Sequence, residues 1–294
     1  MRHNQRMLYA ERIERAVEHI EHSVTRGDAP TLEELANVAA MSPYHFHRIY
    51  RIMTGEAVGE TVRRIRLARS VSALAERRPV GDAAENSGYA TSQAFARAFK
   101  AASGSSASEV RDQPALLDAI LSDLRKPRRG AGGASSALDI EVISLEPFRV
   151  LAIRNVGDYA ELNAGYERLF GLVLEQVEEC ELQGIYGIPL DDPRFTPASE
   201  CRFDCALATG EAGRSAGDLD DRQIAGGDYV RLRRVGNYDE LHEAIDLAYA
   251  YAVDVLDRAV ANQPLVLHYL DDPEEIEDEQ QLRADILLPL ATGA

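Results

Sequence analysis

Ser42-Pro-Tyr-His-Phe-His-Arg-Ile-Tyr-Arg51 is the stretch that decides how this chain is read, because it returns in altered form 49 residues later. The second copy is Thr91-Ser-Gln-Ala-Phe-Ala-Arg-Ala-Phe-Lys100, so Phe46-x-Arg48-x-Tyr50 becomes Phe95-x-Arg97-x-Phe99 and Gly55 becomes Gly104. A short helical pattern precedes each copy, with Leu32, Leu35 and Ala36 before the first and Val80, Ala83 and Ala84 before the second. A short helix, a tight turn and a second helix opening on Ser or Thr make a helix-turn-helix, whose second helix enters a DNA major groove. Two copies in one chain predict a protein that reads two adjacent grooves.

The signals around these copies fit that reading. Residues 7–24 place Ile13, Val17, Ile20 and Val24 on one helical face, and Gly27, Asp28 and Pro30 end that helix. Thr31-Leu-Glu-Glu34 is a capping box. Ser42 is the expected cap of the next helix, with Pro43 at its first position, where a missing N–H costs nothing. Phe46, Ile49, Tyr50 and Met53 form a buried stripe, leaving Tyr44, His45, His47, Arg48 and Arg51 to face outward. Phe95 and Phe99 fall on the matching stripe and are read as core, not as base-stacking rings. Residues 60–76 form one long connecting helix with a basic side of Arg63, Arg64, Arg66 and Arg69. His19 and His22 stand three apart on the first helix but have no third ligand in view, so they are read as a solvated face.

Charge divides the chain. Its net of −17 argues against DNA until it is apportioned. Residues 1–112 hold 16 Arg and Lys against 14 Asp and Glu, residues 113–137 hold 4 against 2, and residues 138–294 hold 12 against 33. The acidity therefore belongs to the last part, at −21. Attraction to DNA depends on local potential, which salt screens over about 10 Å, so a distant acidic domain does not forbid it. The same field suits a cationic ligand. The domains are set at 1–112 and 138–294, with 113–137 between them as a linker. That linker holds a short apolar helix at 116–124 and then Lys126-Pro-Arg-Arg-Gly-Ala-Gly-Gly-Ala-Ser-Ser136.

After residue 138 the pattern changes to strands and long helices. Residues 140–143 and 148–153 read as strands, 160–179 as a helix, and 184–188 and 200–208 as strands. The unit then repeats: Arg154-Asn-Val-Gly-Asp-Tyr159 returns as Arg233-Arg-Val-Gly-Asn-Tyr238, 79 residues on. A helix at 239–260 and strands near 265–270 and 283–288 complete it. The fold class is two domains: an all-α double helix-turn-helix, then an α+β domain of duplicated β-α-β-β units. The three cysteines, Cys180, Cys201 and Cys205, form no disulfide framework and no metal-ligand pairs. No apolar run is long enough to span a membrane and the N-terminus carries no signal pattern, so the expected location is the cytoplasm, with no membrane partner and no cofactor.

Residues 7–112 resemble the AraC/XylS family of bacterial transcription regulators. The resemblance rests on Leu32, Leu35 and Ala36, Ser42-Pro-Tyr-His-Phe-His-Arg48, Gly55, Arg66-Leu67, Gly88-Tyr89, Phe95-x-Arg-x-Phe-Lys100, Gly104 and Glu109-Val-Arg111. The chain departs from the pattern at Ala107, where Pro is usual, and at Thr61, where an aromatic is common. The resemblance implies base-edge or groove contacts from Tyr44, His47 and Arg48 in the first unit and from Ser92, Gln93 and Arg97 in the second. Arg51, Thr91, Lys100 and the helix N-termini at 42 and 92 would hold phosphates. The chemistry agrees: Arg can pair with guanine O6 and N7, and Gln with adenine N6 and N7. Arg48 and Arg97 could equally hold phosphates. It further implies double-stranded DNA and RNA polymerase as partners.

Residues 138–291 look like a GyrI-like effector-binding domain, on Tyr186-Gly-Ile-Pro-Leu-Asp-Asp192, Cys201-Arg-Phe-Asp-Cys-Ala-Leu207, Tyr269-Leu-Asp-Asp-Pro-Glu-Glu275 and Leu282-Arg-Ala-Asp-Ile-Leu-Leu-Pro289. That resemblance implies a pocket for a small, hydrophobic, cationic effector, with Tyr166, Tyr186, Phe203, Tyr251, Tyr269 and Asp285 as its candidate lining. Aromatic faces and one desolvated carboxylate would suit a cation. The leading reading is thus a DNA-binding regulator and not an enzyme. The alternatives are a small-molecule hydrolase of the same family or a drug-sequestering protein. His-Glu-x-x-His does not occur in the chain, since His242-Glu243 is followed by Ala244, Ile245 and Asp246.

Overall fold

The structure is a computed structural model that describes residues 5–85, 89, 91–124, 139–273, 276 and 278–292. The helix end expected at Gly88 and the linker at 126–136 lie outside these residues. The described chain forms two compact units, one helical and one built on a sheet.

The helical unit follows the apolar spacing closely. Helix α1 (Gln5–Thr25) buries Tyr9, Ile13, Ala16, Ile20 and Val24; of the expected stripe Val17 is only half-buried, and Ala16 is buried beside it. Helix α2 (Leu32–Val38) opens on Thr31, where the side chain accepts from the Glu34 amide while Glu34 accepts from the Thr31 amide at 2.8 Å. Helix α3 (Pro43–Thr54) starts at Pro43 as expected, but Ser42 makes no capping bond with its side chain. Helix α4 (Val58–Ala75) connects to the second helix-turn-helix, α5 (Val80–Glu85) and α6 (Ser92–Ser103). Both α3 and α6 end on a left-handed glycine, Gly55 at φ 76° and Gly104 at φ 75°. A side chain there would be strained, so the shared glycines fix the same exit from both helices.

Thr61 replaces the aromatic common at its position by carrying a polar relay. The Tyr50 hydroxyl donates to Thr61 Oγ1 at 2.7 Å, and Thr61 donates to Glu56 Oε1 at 2.7 Å. Glu56 in turn receives Arg64. Burial pushes the Tyr50 phenol up to about 12, so it stays a neutral donor. The basic side expected on α4 is thereby reduced. Arg64 turns inward, Arg69 donates to the Val24 carbonyl, and Arg63 is the one of the four that is largely exposed.

The apolar segment at 116–124 is helix α8 (Pro114–Leu124), which follows the single turn α7 (Ala107–Val110). It packs on α4, and its Leu117 and Leu124 are buried in one core with Leu67, Val71, Leu74, Phe95 and Phe99. Each such large side chain contributes roughly 1.5–3 kcal/mol by burial. This part of the expected linker therefore packs as core of the helical unit.

The second unit is an eight-stranded antiparallel sheet, made of β1 (Asp139–Leu145), β2 (Phe148–Val156), β3 (Gly184–Pro189), β4 (Arg202–Ala208), β5 (Asp220–Ile224), β6 (Gly227–Val235), β7 (Val266–Tyr269) and β8 (Arg283–Pro289). Their order is β1-β6-β8-β7-β3-β4-β2-β5, a sequence that reads the same from both ends when the halves are exchanged. The pseudo-twofold axis falls between β7 and β3. Strands β5 and β6 are absent from the sequence-based expectation, although the 79-residue repeat places β6 opposite β2. Each half carries an extra first strand, and these cross over: β1 pairs with β6 and β5 with β2. Helix α9 (Leu162–Leu174) packs on β2 and β4, and α10 (Leu241–Ala250) on β6 and β8. Both helices are shorter than expected, and α10 widens into a π-turn at Tyr251–Val255. Among the described residues no helix is long and apolar enough to cross a membrane.

Candidate functional site

The residues expected to contact DNA lie on two helices related by the 49-residue repeat. On α6, Gln93, Arg97 and Lys100 are spaced i, i+4, i+7 and share the face opposite Phe95 and Phe99. Thr91, Ser92, Gln93, Arg97 and Lys100 are all exposed. The Thr91 side chain accepts from the Ala94 amide at 3.1 Å and holds the helix start. The counterparts on α3 are Tyr44, Arg48 and Arg51. Arg51 is exposed and Tyr44 half-buried, its ring edge-on to His45 with centroids 4.6 Å apart.

His47 and Arg48 do not face solvent as the spacing predicts: they are 9% and 3% exposed. His45 is buried as well. The His47 ring nitrogen Nδ1 sits 3.3 Å from the Pro43 carbonyl, one turn back.

In the sheet unit, strand pleating separates the six candidate ligand residues. Tyr166 on α9, Phe203 on β4 and Tyr269 on β7 share the side that carries the helices. A Cβ on Gly187 of β3 would meet both the Phe203 ring and the Tyr166 hydroxyl. The Tyr166 and Tyr269 rings meet edge to face at 5.9 Å. Tyr238 lies 4.7 Å from Tyr269, Tyr159 lies 5.2 Å from Phe203, and His242 of α10 lies 6.4 Å from Tyr159. Five phenyl and phenol rings thus form a cluster close to the pseudo-twofold axis.

Tyr186 and Asp285 lie on the opposite side of the sheet. Tyr186 stacks on its cross-strand neighbour His268 at 4.4 Å and 13°, and Phe148 lies 5.0 Å from it. Asp285 is 5% exposed, as a pocket carboxylate would be, but it is occupied: Arg233 reaches both of its oxygens at 2.7 Å. Asp204, its counterpart, is held by Arg154 and Arg222 in the same way. The expected cation-binding acid is therefore already neutralised by its own strand neighbour. Tyr251 opens the π-turn after α10 and is half-buried.

The spacing of aromatics alone does not reveal Tyr159 and Tyr238, yet each closes one copy of the repeated Arg-x-Val-Gly-x-Tyr motif. Each anchors its turn in the same way. Tyr159 donates to the carbonyls of Asp191 and Arg202, Tyr238 to those of Asp271 and Arg283. Burial raises the phenols of Tyr166 and Tyr269 and pushes that of Tyr238 up to about 12. The cluster is accordingly a set of neutral rings whose faces and edges suit a flat or cationic hydrophobic group. Beside it, a cleft of about 290 Å³ lies between the end of β2, the start of α9 and Cys201.

Residues 138–291 match the family model of the GyrI-like small molecule binding domain, over half of the 294 residues. The chain belongs to that family. Residues 35–113 match a helix-turn-helix domain model. The GyrI-like domain and the double helix-turn-helix on one chain make it a DNA-binding regulator with a small-molecule effector domain. Among solved structures it is similar to EcmrR in a DNA complex, at 14% identity, with 69% of this chain and 74% of that one covered and a TM-score of 0.47. It is also similar to a hydrolase encoded by lin2189 from Listeria innocua, at 12% identity, 52% and 91% coverage and a TM-score of 0.40. A third is SAV2435 bound to tetraphenylphosphonium, at 14% identity, 52% and 94% coverage and a TM-score of 0.37.

Proposed function

We propose that the chain reads an asymmetric DNA site through the matching faces of α3 and α6, and that a hydrophobic cation held by the aromatic cluster controls that reading. Gln93 and Arg97 address base edges, with Tyr44 as the half-buried counterpart of Gln93; His47 and Arg48 are covered and would have to be uncovered before they could reach a groove. Thr91, Ser92, Arg51 and Lys100 hold the backbone. Two reading helices on one chain can span grooves about 34 Å apart without a second copy. At a promoter the regulator meets RNA polymerase, and its place of action is the cytoplasm.

The observation that carries the effector half is the cluster of Tyr159, Tyr166, Phe203, Tyr238 and Tyr269 on the helix side of the sheet. The charge of −21 on residues 138–294 draws cations towards it. Binding without turnover is the reading favoured over hydrolysis, because Asp285, the carboxylate a hydrolytic scheme would use, is bound by Arg233. A ligand changes DNA affinity only as far as it binds the two states of the protein differently.

The test is fluorescence anisotropy on DNA from upstream of the protein's own gene and on scrambled DNA, at several salt concentrations, with and without tetraphenylphosphonium. Triphenylphosphine oxide serves as the neutral control. Tighter binding to the upstream DNA, altered by the cation alone, is the expected result. Equal binding to both DNAs, unchanged by either compound, would overturn the proposal.

A further inference from the structure

The two halves of the sheet domain end their second strand in the same turn, and only one of these turns is filled. In the second half the turn is Arg234-Val-Gly-Asn-Tyr238. The Arg234 side chain folds back over it, with Nη2 3.0 Å from Glu240 Oε2 and Nη1 donating to the Val235 carbonyl. Its guanidinium atoms lie 3.1 to 3.2 Å from the place a Cβ on Gly236 would take.

In the first half the turn is Asn155-Val-Gly-Asp-Tyr159, with Asn155 at the position of Arg234. Asn155 turns away into the domain, where its Nδ2 lies 3.1 Å from Cys205 Sγ. Its amide sits against Gly165, 2.6 to 2.8 Å from the place of a Cβ there; the counterpart of Gly165 is Ala244. Nothing stands within 4 Å of a Cβ placed on Gly157. The vacated space belongs to the cleft of about 290 Å³.

Two carboxylates border this space, Glu161 and Asp158, the second of which also accepts the Ala160 amide at 3.0 Å. Glu161 stands where Glu240 receives the Arg234 guanidinium, and Asp158 stands where the second half has the neutral Asn237. Both line the cleft. Arg168, on the same wall, is engaged by Asp218. The geometry points to a guanidinium or amidinium group of a small molecule as the occupant, seated over Gly157 as the chain's own guanidinium is seated over Gly236.

A planar cation with several N–H donors can meet a carboxylate and a turn carbonyl together, which a quaternary ammonium cannot. Because the second half fills itself, the duplicated fold has one such site per chain. This inference rests on the effector-binding reading of the domain and names the group that the effector presents.

The test uses the full chain and benzamidinium, with benzamide as the uncharged isostere, in a ligand-observed NMR titration. Benzamidinium should bind once per chain, and benzamide at least about fivefold more weakly. Glu161→Gln should weaken benzamidinium by about two- to fivefold. Asn155→Arg should abolish its binding by restoring the guanidinium, with the melting temperature and DNA binding retained. If that variant does not fold, Asp158→Asn supplies the same comparison, with a loss of about two- to fivefold. Equal affinity for benzamide, or unchanged benzamidinium binding in the variants, would overturn the inference. Binding of tetraphenylphosphonium without benzamidinium would remove this inference and leave the effector reading standing. Binding of neither would remove both.

Discussion

Glu56 and Arg64 form a buried ion pair beneath the turn that joins α3 to α4. Arg64 Nη2 lies 2.6 Å from Glu56 Oε1, and its Nε lies 3.1 Å from both carboxylate oxygens. Arg64 Nη1 also reaches the Leu124 carbonyl at the end of α8, at 2.9 Å. One guanidinium therefore ties the turn after α3, the connecting helix α4 and the end of α8 together.

Removing one member should cost more than removing both. Glu56→Ala leaves a guanidinium with little access to water and no carboxylate, and takes the acceptor from Thr61. A loss of about 3 kcal/mol of unfolding free energy is expected. The double change Glu56→Met with Arg64→Met replaces the pair by apolar groups and should lose less. Urea unfolding followed by circular dichroism measures both. A loss below about 1 kcal/mol in the single variant would show that the pair is not structural.

On α6, Lys100 and Arg97 should fail in different ways. Lys100→Ala should weaken every DNA alike and lower the slope of log affinity against log salt by about 1, since one phosphate contact is lost. Arg97→Ala should cost about 1–3 kcal/mol on the specific site and relax the preference at one base pair. Anisotropy across a salt series, with single-base variants of the site, separates the two. Uniform weakening by Arg97→Ala would make it a phosphate contact instead.

Much of this was legible in the sequence, and the reasons differ by region. The 49-residue repeat fixed α3 and α6 because a helix-turn-helix core is local: Phe46 and Tyr50, or Phe95 and Phe99, bury themselves at helical spacing. The 79-residue repeat gave the duplicated sheet unit through Arg154 to Tyr159 and Arg233 to Tyr238. Strand β5 escaped because Asp220-Asp-Arg-Gln-Ile224 is polar and sits at the sheet edge, where pairing with β2 needs no apolar pattern. The ligand residues were mixed because spacing does not say which face of β3, β7 and β8 meets the helices. Tyr186 and Tyr269 look alike in sequence and lie on opposite sides of the sheet. Asp285 reads as an available acid until the register sets it opposite Arg233.

His268 makes stability depend on pH in a defined direction. Burial lowers its pKa below the ordinary value; Asp285 acts against this and Arg233 with it. An imidazole depressed in the folded state is neutral there while the unfolded chain still takes up a proton, near pH 6.5. Its contribution is therefore complete above about pH 6.5 and is lost as the pH falls towards the folded-state value. His268→Gln should flatten the fall in urea midpoint between about pH 7 and pH 5.5 relative to the unchanged protein. Parallel curves for the two would show that His268 does not titrate on unfolding.

Gly187 tests whether the aromatic cluster is the effector site. A Cβ there would stand 2.5 Å from Phe203 Cζ and 3.0 Å from the Tyr166 hydroxyl oxygen, both packed between sheet and helix. The Tyr166 hydroxyl is further fixed by its bond to the Tyr186 carbonyl at 2.9 Å. Gly187→Ala must displace one ring or the other, at a cost of about 1–3 kcal/mol in stability. It should weaken tetraphenylphosphonium binding while leaving the DNA affinity of the ligand-free protein unchanged. Gly171→Ala is the control: it lies inside α9 with nothing within 4 Å of the new methyl. There the helix should gain roughly 0.5–1 kcal/mol and ligand affinity should not move. Thermal unfolding and a ligand titration on the two variants decide the matter. If Gly187→Ala binds the cation as tightly as Gly171→Ala does, the ligand sits elsewhere and the rings of Tyr166 and Phe203 are core.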